Sequence, residues 1–156
     1  MRPLRVYADT LVYGGVFDEE FRDTSRLFFD QVRAGIFQLV TSDLVYDELR
    51  DAPEEVRNLF SEMQDISENA EISQEVVLLQ EEYLKAGIVG PQWETDALHV
   101  ALATISQCQV LVSWNFKHLV NYQKITLYNA INAMNHYGNL AIYTPQEVVI
   151  HDNEDL

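Results

Sequence analysis

Short apolar segments that alternate with helical segments constrain this chain more than any other feature of its sequence. Four of them have the length and composition of buried strands, at residues 4–8, 37–40, 110–113 and 140–143. Between them, apolar residues at helical spacing predict helices at residues 18–33, 43–52, 53–63, 73–85, 94–106 and 125–137. The polar residues 65–70 are predicted to form a loop. This alternation predicts an α/β fold in which helices cover both faces of a central, mostly parallel sheet.

The length of the chain favours a single domain. It has 156 residues, 47% of them hydrophobic, which is enough for one core. We expect the domain to span residues 1–150 and the acidic residues 151–156 to form a tail. Cys108 is the only cysteine, so no intrachain disulfide can form, and no apolar run approaches the roughly 20 residues that cross a bilayer. A soluble, cytoplasmic protein is expected.

The charge of the chain excludes a broad phosphate-binding surface. Ten basic and 25 acidic residues give a net charge of -15, and only Lys85, Lys117 and Lys124 are lysines. Nucleic-acid surfaces need clustered lysine and arginine. Any contact with nucleic acid must therefore be local, assisted by a metal ion, or made together with a basic partner.

Polar residues follow two of the predicted strands. Asp9 and Thr10 end the first strand, while Ser113 and Asn115 end the third. Ligands of open α/β sheets bind beyond the carboxyl ends of the strands. These side chains are therefore predicted to share one site.

Two helical acids could join them. The helix capped by Thr41, Ser42 or Asp43 places Glu48 on its apolar stripe and Asp47 on its outer face. Asp96 lies in the first turn of an apolar helix, three residues before His99. Each acid also has a purely structural interpretation: Glu48 as an ion-paired acid, and Asp96, like Glu94, as a helix-start residue favoured by the dipole. For His99, a hydrogen-bonded core histidine is the favoured interpretation.

As a set, the acids are more informative than each acid alone. Asp9, Glu48 and Asp96 come from three different elements, and converging carboxylates raise one another's pKa values unless a cation joins them. Mg²⁺ or Mn²⁺ is the expected cation because both prefer oxygen ligands. Such an ion can polarise a phosphoryl oxygen and activate a water molecule.

Five segments together resemble PilT N-terminus (PIN) domain proteins, and in particular the VapC-like toxins of type II toxin–antitoxin systems. They are "VYADTLVYGGVF", "LVTSDLVYDELRDAP", "ETDALHVALA", "LVSWNFKHLVN" and "INAMNHYGNLAIYTPQEVV". The resemblance covers most of the chain in the right order. It implies a single-domain α/β/α sandwich and a Mg²⁺- or Mn²⁺-dependent endoribonuclease that hydrolyses RNA phosphodiester bonds.

The same resemblance implies roles for individual residues. Asp9, Glu48 and Asp96 match the family's metal-binding acids, and Asn115 falls where the family has its last acid. Asn115 keeps an amide oxygen as a candidate ligand but removes one negative charge, which predicts weaker metal binding. The expected supporting residues are Thr10, Ser113, Glu94 and His99, with Glu94 able to compensate for Asn115 if it turns inward.

The expected partners are an RNA substrate, a cognate antitoxin and a second copy of the chain in a homodimer. Lys117 and His118 are predicted to contact RNA, with an exposed turn as the equal alternative, and Trp114 is expected to pack rather than to stack on a base. Residues 17–28 fit an interface helix and a plain surface helix equally well. The alternative function is a PIN-fold scaffold that has lost catalysis and binds a protein partner.

Overall fold

A computed structural model describes residues 2–151 of the chain. Its strands are β1 (Leu4–Ala8), β2 (Phe37–Ser42), β3 (Glu68–Ala70), β4 (Val110–Val112) and β5 (Ala141–Tyr143). Its helices are α1 (Thr10–Gly15), α2 (Arg22–Arg33), α3 (Asp43–Glu48), α4 (Glu54–Gln64), α5 (Gln74–Lys85), α6 (Glu94–Ile105), α7 (Tyr122–Met134) and α8 (Pro145–Val148), with a short 3₁₀ turn at Pro91–Trp93. No helix within this part of the chain is long and apolar enough to cross a membrane. The acidic tail predicted at residues 151–156 lies almost wholly outside the described residues.

The five strands form one sheet in the order β3-β2-β1-β4-β5, and every neighbouring pair is parallel. The predicted α/β fold is confirmed, and the sheet is fully parallel. β1 is its central strand, with Val6, Tyr7 and Ala8 fully buried. The helices α1, α2 and α4 contact one another, whereas α5 contacts α6 and α7. Right-handed crossovers put these two groups on opposite faces of the sheet.

The strand order predicts a ligand site at the carboxyl ends of β1 and β4. From β1 the chain moves outward to β2 and β3, then returns across the sheet to β4 on the other side of β1. The carboxyl ends of β1 and β4 therefore flank the point where the strand order reverses, which is where open α/β sheets bind ligands. Ala8 pairs with Val112, and the Asp9 amide donates to the Val112 carbonyl (3.2 Å). Asp9 and Ser113 are thus neighbours despite their separation in sequence.

Several predicted elements were wrong or misplaced. Residues 68–70 form the edge strand β3 instead of a loop, and residues 10–15 form a helix that the sequence pattern did not predict. α2 begins at Arg22, after a turn, and not at residue 18. α3 ends at Glu48 instead of residue 52, and Ser42 is its N-cap, accepting from the Val45 amide (3.4 Å). α7 lies three residues earlier than predicted because Asn121 caps it.

Candidate functional site

Asp9 is the buried centre of the site. It occupies the N-cap position of α1, but its side chain makes no capping hydrogen bond. Instead, Oδ2 accepts a hydrogen bond from the hydroxyl of Ser113 (2.6 Å). The oxygen of that hydroxyl in turn accepts a hydrogen bond from the backbone amide of Asn115 (2.8 Å). The other oxygen, Oδ1, is buried and has no hydrogen-bond partner among residues 2–151. A carboxylate oxygen left without a donor in a buried place is a strong attractor for a cation.

Burial controls the protonation of Asp9. Desolvation raises its pKa from 3.8 to about 6, and nearby Glu48 adds to the rise. His99 and the hydrogen bond from Ser113 oppose it without cancelling it. Asp9 is therefore an acid whose charged form needs a positive neighbour.

Glu48 reaches the site from the end of α3. Its Oε1 accepts hydrogen bonds from the Thr10 hydroxyl (2.6 Å) and from Nε2 of His99 (2.6 Å). Burial alone would raise the pKa of Glu48, but the hydrogen bonds from His99 and Thr10 outweigh it and lower that pKa. Oε2 has no hydrogen bond within residues 2–151. Asp47, the acid assigned to the outer face, pairs with Arg50 (2.7 Å) in solvent.

Asp96 and Asn115 form the opposite side of the site. Asp96 is half-buried in the first turn of α6, and burial raises its pKa against the opposing effects of His99, His118 and the Asn115 side chain. The Oδ1 atom of Asn115 accepts the backbone amides of Lys117 (3.2 Å) and His118 (3.0 Å). That oxygen stabilises the turn after β4.

The remaining predicted residues lie in different places. His99 is buried and holds Glu48 rather than Asp96. Glu94 is exposed at the start of α6, where only its carbonyl oxygen accepts a hydrogen bond, from Gln80 (2.8 Å). Compensation for Asn115 would require this side chain to turn inward, and here it is exposed.

The turn after β4 is less exposed than its sequence suggests. His118 is buried beneath Trp93, with ring centroids 4.4 Å apart, and the Lys117 ammonium lies 5.6 Å from the centre of the same indole. Within the described part of the chain, neither ring nitrogen of His118 has a hydrogen-bond partner. Trp114 stacks on Phe21 at 4.3 Å and donates to the Ser25 hydroxyl (2.9 Å), which makes it a packing residue.

Three side chains at this site were not predicted from the sequence: Tyr7, Ser42 and Trp93. The Tyr7 hydroxyl lies 2.8 Å from Nδ1 of His99 and 2.8 Å from the Ser42 hydroxyl. A signal for Tyr7 existed, because in an extended strand a residue two positions before Asp9 shares its face. Trp93 offered no such signal, since its contact with His118 joins two separate segments.

The carboxylates of Asp9, Glu48 and Asp96 suit a hard divalent cation, although their oxygen atoms do not converge on one point. Among the described residues, no group of three or more histidine, cysteine, aspartate or glutamate side chains is arranged to hold a metal ion. Oδ1 of Asp9, buried without a hydrogen-bond partner among the described residues, and the carboxylate of Glu48 nevertheless provide the oxygen ligands that Mg²⁺ and Mn²⁺ prefer. The residues fit such an ion if Glu48 and Asp96 turn toward Asp9.

Comparison with known proteins supports the fold. No protein-family model matches the chain, and no curated protein matches it. Among solved structures, it is similar to a chain of VapBC2 from Rickettsia felis bound to a DNA fragment from their promoter. The TM-score is 0.55 at 13% identity, and the match covers 89% of this chain and 97% of that one. At this identity the match shows the fold alone, and it confirms the predicted PIN-like, VapC-like architecture.

Proposed function

We propose that this protein is a Mg²⁺- or Mn²⁺-dependent endoribonuclease that hydrolyses RNA phosphodiester bonds, and that it acts as the toxin of a toxin–antitoxin pair. The observation that carries the proposal is the unpartnered, buried Oδ1 of Asp9 at the point where the strand order reverses. A buried carboxylate with one oxygen tethered and one free is poised to bind a cation. The VapC-like fold supports RNA phosphodiester as the bond that is cut.

Each residue of the site has a role in this proposal. Asp9, Glu48 and Asp96 hold the ion, Ser113 fixes Asp9, and Thr10 and His99 fix Glu48. When bound, the ion would polarise a phosphoryl oxygen and lower the pKa of a bound water molecule. Lys117 supplies a local cationic contact for the RNA backbone, and His118 packs beneath Trp93 in the same turn.

Cleavage of a defined RNA pool tests this function. We expect cutting with Mn²⁺ or Mg²⁺, none in EDTA, and a loss of at least about 100-fold in Asp9→Asn, because one ligand charge disappears. Asp47→Asn is the matched control: it makes the same chemical change on the outer face of α3 and should keep wild-type activity. Cleavage that persists in EDTA would refute the proposal, as would an Asp9→Asn protein as active as the wild type.

The second candidate function is a PIN-fold scaffold that binds a protein partner without catalysis. Two observations favour it: Asn115 replaces an acid with an amide, and no three ligands are gathered for a metal ion among residues 2–151. Under this alternative, the acidic cluster is a remnant and neither metal ion nor RNA binds tightly.

Asn115→Asp separates the two candidates. A carboxylate can still accept the Lys117 and His118 amides, so the turn survives while one negative charge is added beside Asp96. For the nuclease we expect Mn²⁺ affinity to rise roughly tenfold, because affinity for hard cations follows the charge of the ligand set. Isothermal titration calorimetry measures this directly. Absence of Mn²⁺ binding in both proteins would favour the scaffold.

We further propose that the chain forms a homodimer and binds a cognate antitoxin. The net charge of -15 suits a basic partner, since opposite potentials speed association and select partners. A neighbouring reading frame that encodes a short protein with a basic tail would support this pairing.

A further inference from the structure

Phe116 is the most exposed aromatic residue on the turn that follows β4. It is 53% exposed, and its aromatic neighbours among residues 2–151 are tilted against it, with ring centroids 6.4 Å away for Phe21 and 6.3 Å for Trp114. Trp114 differs, because its own ring is stacked on Phe21 at 4.3 Å. Single exposed hydrophobic residues are normal on protein surfaces, so the position of Phe116 decides what its exposure means.

Hydrogen bonds on both sides fix the backbone of Phe116 next to the candidate site. The amide of the preceding residue, Asn115, donates to the hydroxyl of Ser113 (2.8 Å), which itself donates to Asp9 (2.6 Å). The amide of the following residue, Lys117, donates to Oδ1 of Asn115 (3.2 Å). An aromatic side chain has only two torsions to restrict, so a ligand that binds to this ring loses little affinity to the ordering of the protein.

Trp93 brings a cation to the same place. Its indole packs on His118, with ring centroids 4.4 Å apart, and the Lys117 ammonium lies over the indole, 5.6 Å from its centre. Trp93 is also the N-cap residue of α6, and Asp96 occupies the N3 position of that helix, where the two side chains are neighbours. An exposed ring and a positive charge therefore lie together on the Asp96 side of the site.

The charge of the protein determines which contacts could hold RNA there. With 25 acidic and ten basic residues, the chain can offer few of the phosphate contacts on which most RNA-binding surfaces depend. Stacking of a base on an aromatic ring needs no charge on the protein, and it accepts every base because each base has a π-face. The base must be unpaired and turned out of its own stack, which selects single-stranded RNA over duplex.

We propose that Phe116 is the stacking platform for one unpaired base beside the scissile phosphodiester, and that Lys117 contacts the phosphate next to that base. The identification of the ligand as RNA rests on the proposed endoribonuclease function. A protein partner is the competing occupant of the exposed ring. The basic partner proposed above would be repelled by Lys117 at this place, which favours RNA.

Binding of a short single-stranded RNA that carries one 2-aminopurine between uridines tests the stacking contact, in EDTA and about 200 mM KCl to screen repulsion. We expect the wild type to quench the 2-aminopurine fluorescence, because a stacked base is quenched. Phe116→Leu keeps an apolar side chain without a ring, so it should weaken binding by roughly 5- to 100-fold and lose the quenching. Phe116→Tyr keeps the ring and should keep both.

Phe17→Leu is the matched control. Phe17 is 47% exposed, but it lines a groove with Arg33 of α2 and Glu62 of α4, so its loss should change neither affinity nor quenching. Three results would overturn the proposal: a wild type that binds no RNA, RNA that binds without quenching, or Phe116→Leu that binds and quenches like the wild type. The last result would assign the exposed ring to a protein partner instead.

Cleavage at saturating Mg²⁺ then locates the stacked base. Abasic nucleotides are placed one at a time on either side of the bond that is cut, and kcat/KM is measured for the wild type and Phe116→Leu. At one position, loss of the base and loss of the ring should together cost no more than either alone, because both remove the same contact. Losses that multiply at every position would overturn the stacking role and leave the proposed nuclease intact. If no RNA is cut with Mg²⁺ or Mn²⁺, the proposed function fails, and the quenching in EDTA still decides whether Phe116 stacks on a base.

Discussion

At the scale of single residues, the burial of Asp9 favours the binding of a cation but lowers the stability of the folded protein. Its backbone begins α1, yet its carboxylate turns away from the helix to Ser113 and leaves Oδ1 buried without a partner. Burial raises the pKa of Asp9 to about 6, so the folded protein binds this proton more tightly than the unfolded chain does. Stability therefore falls as pH rises from about 4 to about 6, and above that window the full penalty of about 3 kcal/mol applies.

Asp9→Asn should accordingly stabilise the metal-free protein at neutral pH. The amide carries no charge, so we expect its free energy of unfolding to exceed that of the wild type, with a gain that grows by about 1 kcal/mol between pH 5 and pH 8. Urea unfolding at both pH values measures the difference. Asp47→Asn, which changes an exposed acid, should follow the wild-type profile. A gain of the same size at both pH values would contradict a raised pKa for Asp9.

At the scale of elements, α1 carries the two neighbouring glycines at its end, and they have opposite surroundings. A Cβ at Gly14 would meet nothing within 4 Å. A Cβ at Gly15 would lie 2.6 Å from the Ser25 hydroxyl oxygen and 2.9 Å from Nε1 of Trp114, in the middle of the hydrogen bond that joins those side chains. Gly15 is therefore required for the close packing of α1 against Trp114, whereas Gly14 is not.

Gly14→Ala and Gly15→Ala should change stability in opposite directions. We expect Gly14→Ala to raise the free energy of unfolding by about 0.5–1 kcal/mol, since alanine is the better helix former. Gly15→Ala should lower it by about 1–3 kcal/mol, because Ser25 and Trp114 must move. Urea unfolding monitored by tryptophan fluorescence measures both. Two changes of the same sign would rule out this account of α1.

The elements that sequence predicted well are those whose own residues carry the signal. β1, β2 and β4 are apolar runs inside the sheet, β5 is a short apolar run at its edge, and α6 is apolar on almost every side, so burial is visible in their composition. β3 was missed because it is a three-residue edge strand with two exposed polar residues, and its pairing with β2 decides its conformation. α1 was missed because Gly14 and Gly15, at its end, are poor helix formers. Periodicity could favour Glu48 over Asp47, and strand alternation could have placed Tyr7 beside Asp9. The contact of Trp93 with His118 joins two segments that no local pattern links.

At the scale of the whole molecule, the sheet topology assembles a candidate site, whereas the negative net charge of the protein opposes the approach of a polyanion. The return of the chain from β3 to β4 brings acids from three elements to the carboxyl ends of the central strands. The protein as a whole carries 25 acidic and ten basic residues, so a polyanion such as RNA is repelled as it approaches. Of the three lysines, Lys117 lies on the turn after β4, while Lys124 donates to the Ile88 carbonyl (2.7 Å). Under the proposed function, attraction of RNA therefore depends on a bound cation and one local contact.

This balance predicts an unusual response of cleavage to salt. Proteins that bind RNA through many lysines and arginines lose affinity steeply with salt, about 10³–10⁵-fold from 50 to 200 mM. Here salt screens repulsion instead, so kcat/KM for a short single-stranded RNA at saturating Mn²⁺ should rise a few-fold from about 50 to about 200 mM KCl. A dinucleotide with a single phosphodiester should respond less, because it carries little charge to repel. A steep fall with salt would mean that phosphate contacts from the few basic residues dominate binding, and that the net charge of the molecule does not govern its encounter with RNA.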